Sequence, residues 1–156
     1  MGIGPSTKET TLHHFSDPLV EELCDDTDLD FVGIIIAGIP QDNVNKLFTG
    51  SRVGAWAEAL RVKGAIVSED SWGNSNVDFA QAIEEIGKRD IAVVGVSFVG
   101  TQGAFVVTNQ YMNTIVDFNK SEEGIETNVV GENNIVAQDA KKAKALLKLK
   151  MRTVKR

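Results

Sequence analysis

The chain has 156 residues, 42% hydrophobic and 24% charged, a globular balance long enough for one domain with its own core. No apolar run approaches the roughly 20 residues that span a bilayer, and the start Met1-Gly2-Ile3-Gly4-Pro5 lacks the basic and apolar regions of a secretory signal. The single cysteine, Cys24, excludes an internal disulfide and a cysteine zinc site, and it fits a reducing, cytoplasmic location.

Residues 1–14 are polar and turn-rich. Asp17-Pro18 starts a short helix over Leu19–Leu23, with proline in the first turn, and an acidic connector follows to Asp30. Cys24 reads as a small, partly buried apolar residue. Phe31-Val32-Gly33-Ile34-Ile35-Ile36-Ala37 is a continuous apolar run of the kind buried on both faces of a parallel sheet. Gly64–Val67 and Ile91–Phe98 read the same way. Between the first two, Asp42–Val62 predicts a helix with Val44, Leu47, Phe48, Val53, Trp56, Ala57 and Leu60 on its apolar face. An irregularity is expected at Thr49-Gly50-Ser51. Val77–Arg89 predicts an amphipathic helix bearing Phe79, Ala82, Ile83 and Ile86, with Asn76 or Ser75 as N-cap.

Strand, helix, strand, helix, strand implies a βαβαβ core with right-handed crossovers. The expected fold is α/β, three-layered, with a mostly parallel sheet and helices on both faces. Residues 103–108 read equally as strand or helix, Asn109–Asn119 as a helix, and Ile125–Val130 as a short strand. Ala137–Met151 predicts a C-terminal helix with Ala140, Ala143, Leu146, Leu147 and Met151 inward. The chain divides into an N-terminal segment (1–30) packing on the domain, the α/β domain (31–151) and a basic tail (152–156).

Charge is unevenly spread. Residues 1–139 hold all 22 acidic and 8 basic residues, a body of −14; the other 8 basic residues lie between Lys141 and Arg156, a tail of +8. No aromatic residue interleaves the basic ones, and the acidic body repels phosphate, which argues against nucleic acid. A cationic helix face docking on an acidic body or partner is expected instead. Met1-Gly2 with Ser6 also fits a short myristoylation pattern, but that pattern is common and no membrane role is expected.

Ligands of open α/β sheets bind beyond the carboxyl ends of the strands. Three loops meet that description: Gly38–Asn43, Glu69–Asp78 and Val99–Gly103. They are rich in Gly, Asn, Gln, Thr and Asp and poor in Lys and Arg, which suits a small polar ligand or a partner chain rather than a polyphosphate. The second loop ends at a helix N-terminus, where backbone N–H groups can receive an anion. On residue types, capping by Asn76 and Asp78 and a turn at Gly73 are the favoured explanation, whereas Trp72, a large aromatic on a polar loop, points to a surface that packs on something. No phosphate-loop, dinucleotide or nucleophile-elbow motif is present. His13 and His14, the only histidines, are adjacent in sequence and make a poor metal pair. A metal site is not expected.

The string Trp72-Gly73-Asn74-Ser75-Asn76-Val77-Asp78-Phe79, with Ile83-Glu84-Glu85-Ile86-Gly87 and Ile91–Phe98, resembles the component B family of glycine, sarcosine and betaine reductases. The likeness is greatest to the C-terminal, pyruvoyl-chain region of D-proline reductase pro-proteins. Gln102-Gly103-Ala104, Val106-Val107, Asn109, Tyr111-Met112, Val116-Asp117, Asn119-Lys120-Ser121 and Gly124-Ile125-Glu126 continue it. Ile3-Gly4-Pro5, Lys8-Glu9, His13, Pro18-Leu19-Val20 and Val32-Gly33 extend it forward, so that it runs from about residue 2 to about residue 150.

The resemblance implies a pro-protein that cleaves itself before a cysteine, which becomes a pyruvoyl group. That carbonyl takes the substrate amine, and a selenocysteine on another subunit opens the C–N bond reductively. Gly2 stands where the family cysteine belongs. Glycine has neither the nucleophile for cleavage nor the thiol to eliminate, and a chain starting at Met1 offers no upstream segment to release. No pyruvoyl or other cofactor is therefore expected on this chain.

Three roles follow. The first is an accessory or paralogous component of a D-proline reductase system of amino-acid-fermenting anaerobes. The second is a working subunit that completes an active site whose electrophile lies on another chain, and the third is an independent small-molecule binder. Expected partners are other reductase subunits, including a selenocysteine-containing one, with a homo-oligomer also possible. The candidate pocket is His13, Glu69, Trp72, Gly73, Asn74, Asn76, Asp78, Ser97, Gln102 and Asn109, with no catalytic residue assigned.

Overall fold

A computed structural model describes residues 17–69, 74–98, 105, 107–124 and 134–154. The elements run α1 (Pro18–Cys24), α2 (Asn43–Ala59), β1 (Gly64–Ser68), α3 (Ser75–Gly87), β2 (Ala92–Ser97), β3 (Ile115–Asp117) and α4 (Ala137–Thr153). The three strands form one parallel sheet in the order β1-β2-β3.

Strand alternation sorts the core into two layers. Ala92, Val94 and Val96 of β2 face one way and pack with Val116, Ala140, Ala143 and Leu147, so α4 covers that face and Leu19 of α1 joins it. Val93, with Ala65 and Val67 of β1, faces the other way onto Phe79, Ile83 and Ile86 of α3. Helices on both faces of a parallel sheet make this the α/β fold that the sequence pattern implies.

The members of the sheet differ from the expected ones. Residues 31–37 form no strand. The segment is irregular and largely exposed, and no backbone hydrogen bond among the described residues involves residues 31–41. Apolar composition alone cannot pair a strand; it also needs a neighbouring edge within reach. The third strand is instead Ile115–Asp117, inside the region predicted helical over Asn109–Asn119. There the Asn109 side chain accepts from Tyr111 N at 2.9 Å, closing a local turn. The β-branched Ile115 and Val116 then extend beside Gly95 and Val96. The expected strand over Ile125–Val130 lies outside the described residues, as does most of 103–108; Phe105, Val107 and Thr108 are irregular.

α2 is continuous through Thr49-Gly50-Ser51, where an irregularity was expected, and its apolar face points outward. Phe48 is 58% and Trp56 57% exposed, while Lys46, Gly50, Gly54 and Ala57 are buried. The glycines explain both facts. A Cβ on Gly50 would meet Gln81 Cγ at 2.4 Å, and one on Gly54 would meet the Glu85 carbonyl oxygen at 2.8 Å. The bare backbone lets α2 sit directly on α3, and this close approach outweighs both helix propensity and the apolar spacing on the far face. The facing pairs Lys46–Asp78, Gly50–Gln81, Gly54–Glu85 and Glu58–Arg89 rise together in number, so the two helices run parallel.

α3 begins at Ser75, with Asn74 as N-cap and no side-chain cap bond. The expected cap, Asn76 or Ser75, therefore lies inside the helix. Cys24 is exposed rather than partly buried, at the end of α1.

The basic helix meets the acidic body. Lys144 donates to Glu22 Oε2 at 3.0 Å, and Lys148 donates to both oxygens of Asp26 at 2.7 Å. These contacts tie α1 to α4. The Lys148 ammonium holds the Asp26 carboxyl down from 3.8 to about 2. A depressed carboxyl stabilises the fold above its unfolded value and loses that contribution as pH falls through its folded one. In urea titrations, the stability gap between the parent chain and Asp26→Asn is expected to be full above pH 4 and to close on approaching pH 2. A gap that does not change with pH would show that the clamp is not electrostatic.

Candidate functional site

Parallel strands leave their carboxyl ends on one side of the sheet, and the first turn of α3 sits above them. Glu69 follows β1 directly and is anchored by its N–H donating to Val96 O at 3.0 Å. Its Oε1 accepts from Asn76 Nδ2 at 2.7 Å and from Ser97 Oγ at 3.1 Å. Ser97, the last residue of β2, is fully buried, and Asn76 is 4% exposed. Two predicted site residues, one from α3 and one from β2, therefore converge on the carboxylate of a third. Its place beside the first turn of α3 puts the negative charge near the positive end of the helix dipole.

Also in the first turn of α3, Asp78 pairs with Lys46 of α2. Lys46 has no solvent exposure at all, and a lysine is almost never wholly buried unless it is paired. Asp78 keeps 14% of its side chain open. Its Oδ1 is buried and receives no hydrogen bond among the described residues. Asp78 is thus neither a cap nor a ligand-facing acid alone, because one oxygen is committed to Lys46.

Sequence reasoning missed Lys46. On a helix whose apolar residues mark the opposite face, a lysine is assigned to solvent. The signal that identifies it is the spacing Lys46, Gly50, Gly54, one residue per turn, which places it on the face with the glycines that admit another helix.

Of the remaining predicted residues, only Asn74 and Asn109 are described. Asn74 is exposed at the start of α3 and makes no cap bond. Asn109 serves the scaffold: its Nδ2 donates to Ala80 O at 2.8 Å and its Oδ1 closes the turn at Tyr111. His13, Trp72, Gly73 and Gln102 lie outside the described residues. So does the loop Val99–Gly103. The loop Gly38–Asn43 does not follow a strand; its Asp42 caps α2 by accepting from Asn45 N at 2.9 Å.

Residues 2–148 match the family of glycine/sarcosine/betaine reductase component B subunits. The chain belongs to this family. It is 42% identical to a D-proline reductase proprotein of Acetoanaerobium sticklandii over 146 residues, 94% of this chain and 23% of that protein. It is also 28% identical, over 105 residues, to the component B subunit alpha of a sarcosine reductase complex from Peptoclostridium acidaminophilum. That stretch is 65% of this chain and 24% of the relative. The chain therefore spans about a quarter of the length of the curated relatives it matches. No solved structure matches it. Among the described residues, no helix is long and apolar enough to cross a membrane.

Family membership makes this chain a relative of reductase-system components. The polar cluster Lys46, Glu69, Asn76, Asp78 and Ser97 lies where α2, α3 and the strand ends meet. Breaking a buried ion pair leaves one charge uncompensated, whereas replacing both partners with apolar groups does not. Lys46→Met is expected to cost about 3 kcal/mol of unfolding free energy, the low end of the range because Asp78 can turn partly to water. Lys46→Met/Asp78→Leu is expected to recover most of that loss. Urea denaturation of both single variants and the double variant checks this, and a double-variant loss equal to the sum of the single losses would mean the two residues are not coupled.

Proposed function

We propose that this chain is an accessory component of a D-proline reductase system, paralogous to the pyruvoyl chain and not catalytic by itself. The observation that carries this reading is the inward commitment of the polar cluster. The Lys46 ammonium is sealed from solvent against Asp78, and Glu69 Oε1 is held by Asn76 and Ser97. These contacts hold α2, α3 and the strand ends together, so Lys46, Asn76, Ser97 and one oxygen each of Glu69 and Asp78 are engaged before any substrate arrives.

The chain's own residues do not fit the family's electrophile. Gly2, where the resemblance places the precursor cysteine, has no thiol. Cys24 is exposed on α1, which packs on α4 across the sheet from the Lys46–Asp78 pair. No cofactor is assigned to this chain. Its proposed partners are other reductase subunits, a selenocysteine-containing one among them, and its proposed location is the cytoplasm.

The second reading, a working subunit that completes another chain's active site, draws on Asp78 Oδ1. A buried carboxylate oxygen without a donor is costly, and a substrate ammonium on an assembled complex would satisfy it.

The test has two arms. A hydrazine probe followed by mass spectrometry is expected to find no carbonyl on the purified chain, while a tagged chain co-elutes with reductase subunits. A hydrazone on its N-terminal residue would overturn the accessory reading. In a reconstituted complex, Asn74→Ala removes an exposed side chain that supports no cap, so turnover is expected to stay unchanged. A fall of tenfold or more would favour the working-subunit reading.

A further inference from the structure

The face that α2 turns away from the sheet is unusual for a lone chain. Ten large apolar side chains between Val32 and Leu60 keep 39–77% of their surface open. At about 100 Å² apiece they amount to roughly 1,000 Å². A soluble monomer ordinarily exposes no apolar patch above about 300–600 Å². Each partner of a standard specific interface contributes about 800 Å².

The patch has two parts. One is the outer ridge of α2, where Phe48 and Trp56 stand two turns apart. The other is the irregular arm 31–40, which lies against that ridge. Residues 34–38 and α2 between Phe48 and Trp56 enclose a groove of about 430 Å³. The arm is open along its length: Val32, Ile34, Ile36 and Ile39 are 51%, 60%, 67% and 56% exposed, and Ile35 39%. No backbone hydrogen bond among the described residues reaches residues 31–41.

We propose that this face binds a second copy of the chain, arm beside arm and α2 ridge beside α2 ridge, about a two-fold axis. Three observations select a second copy. The area open on one chain meets what one side of a stable dimer needs. Two identical arms related by a two-fold axis run antiparallel, so the backbone N–H and C=O groups of each face those of the other, and an isologous contact requires only this self-complementarity. The third is charge. The chain carries −6 overall, so two copies repel one another across most of their surfaces. The arm from Phe31 to Gln41 has no charged side chain, and Arg52 is the one charged residue lining the groove. The acidic chain thus meets its copy with least repulsion here.

The inference does not depend on the reductase reading. Analytical ultracentrifugation of the full chain over a hundredfold range of concentration tests it. The parent chain is expected to sediment as a dimer. Ile34→Lys/Ile36→Lys, at two exposed positions, is expected to raise the dimer dissociation constant at least 100-fold with an unchanged circular dichroism spectrum. Phe48→Lys on α2 is expected to weaken the dimer likewise, so the result does not rest on the arm variant folding. A parent chain that is monomeric throughout would overturn the proposal, and so would a dimer indifferent to both variants. Association that occurs only when another reductase subunit is added would overturn it in favour of a heteromeric contact.

Discussion

An ammonium group with no access to water has to find an anion, and in this fold the one it finds is Asp78. Desolvating Lys46 is expensive, and the Coulombic return is adequate only if the two side chains are held in register. That register is set by α2 and α3 lying parallel and close. The closeness in turn requires Gly50 and Gly54, because a Cβ at either position would strike Gln81 or the Glu85 carbonyl. Ion pair and glycines therefore form one device: the glycines permit the approach and the pair fixes its phase. Farther along the same interface, Arg89 bridges Glu85 and Glu58.

Once α2 is held by this polar and glycine face, its apolar face has nowhere to go but outward. The exposed Phe48 and Trp56, and the arm that lies against them, are consequences of the same constraint. The polar cluster beneath α3 is its other consequence. With Asp78 committed to Lys46 and Glu69 committed to Asn76 and Ser97, the strand ends are tied to the helices that cover them. One oxygen of each carboxylate is thereby engaged within the chain.

Much of this was legible in the residues. The β-branched runs at 64–67 and 91–98 specify strands because a stretch buried on both faces has little room for polar side chains, and both form. The spacing of Phe79, Ile83 and Ile86 marks α3, and Ala140, Ala143 and Leu147 mark α4. Residues 31–37 misled because strand-like composition does not by itself place a neighbouring strand edge within reach. α2 misled because a glycine and lysine face can outcompete a hydrophobic one when backbone contact is close. Asn109 looked like a polar site residue and is a turn-former that also braces α3. At the candidate site, proximity in sequence brought Glu69, Asn76 and Asp78 to notice, and Ser97 followed from its place at a strand end. Lys46, 32 residues before its partner, left only its spacing to the glycines as a trace.

The account turns on the Lys46–Asp78 pair being structural. Turnover of a reconstituted reductase complex carrying Lys46→Met/Asp78→Leu tests this most directly, because the double replacement removes both charges while preserving the packing. The account predicts that the complex assembles and turns over at the parent rate. A loss of tenfold or more, about 1.4 kcal/mol in the barrier, with fold and assembly intact would contradict it and place these charges in the chemistry.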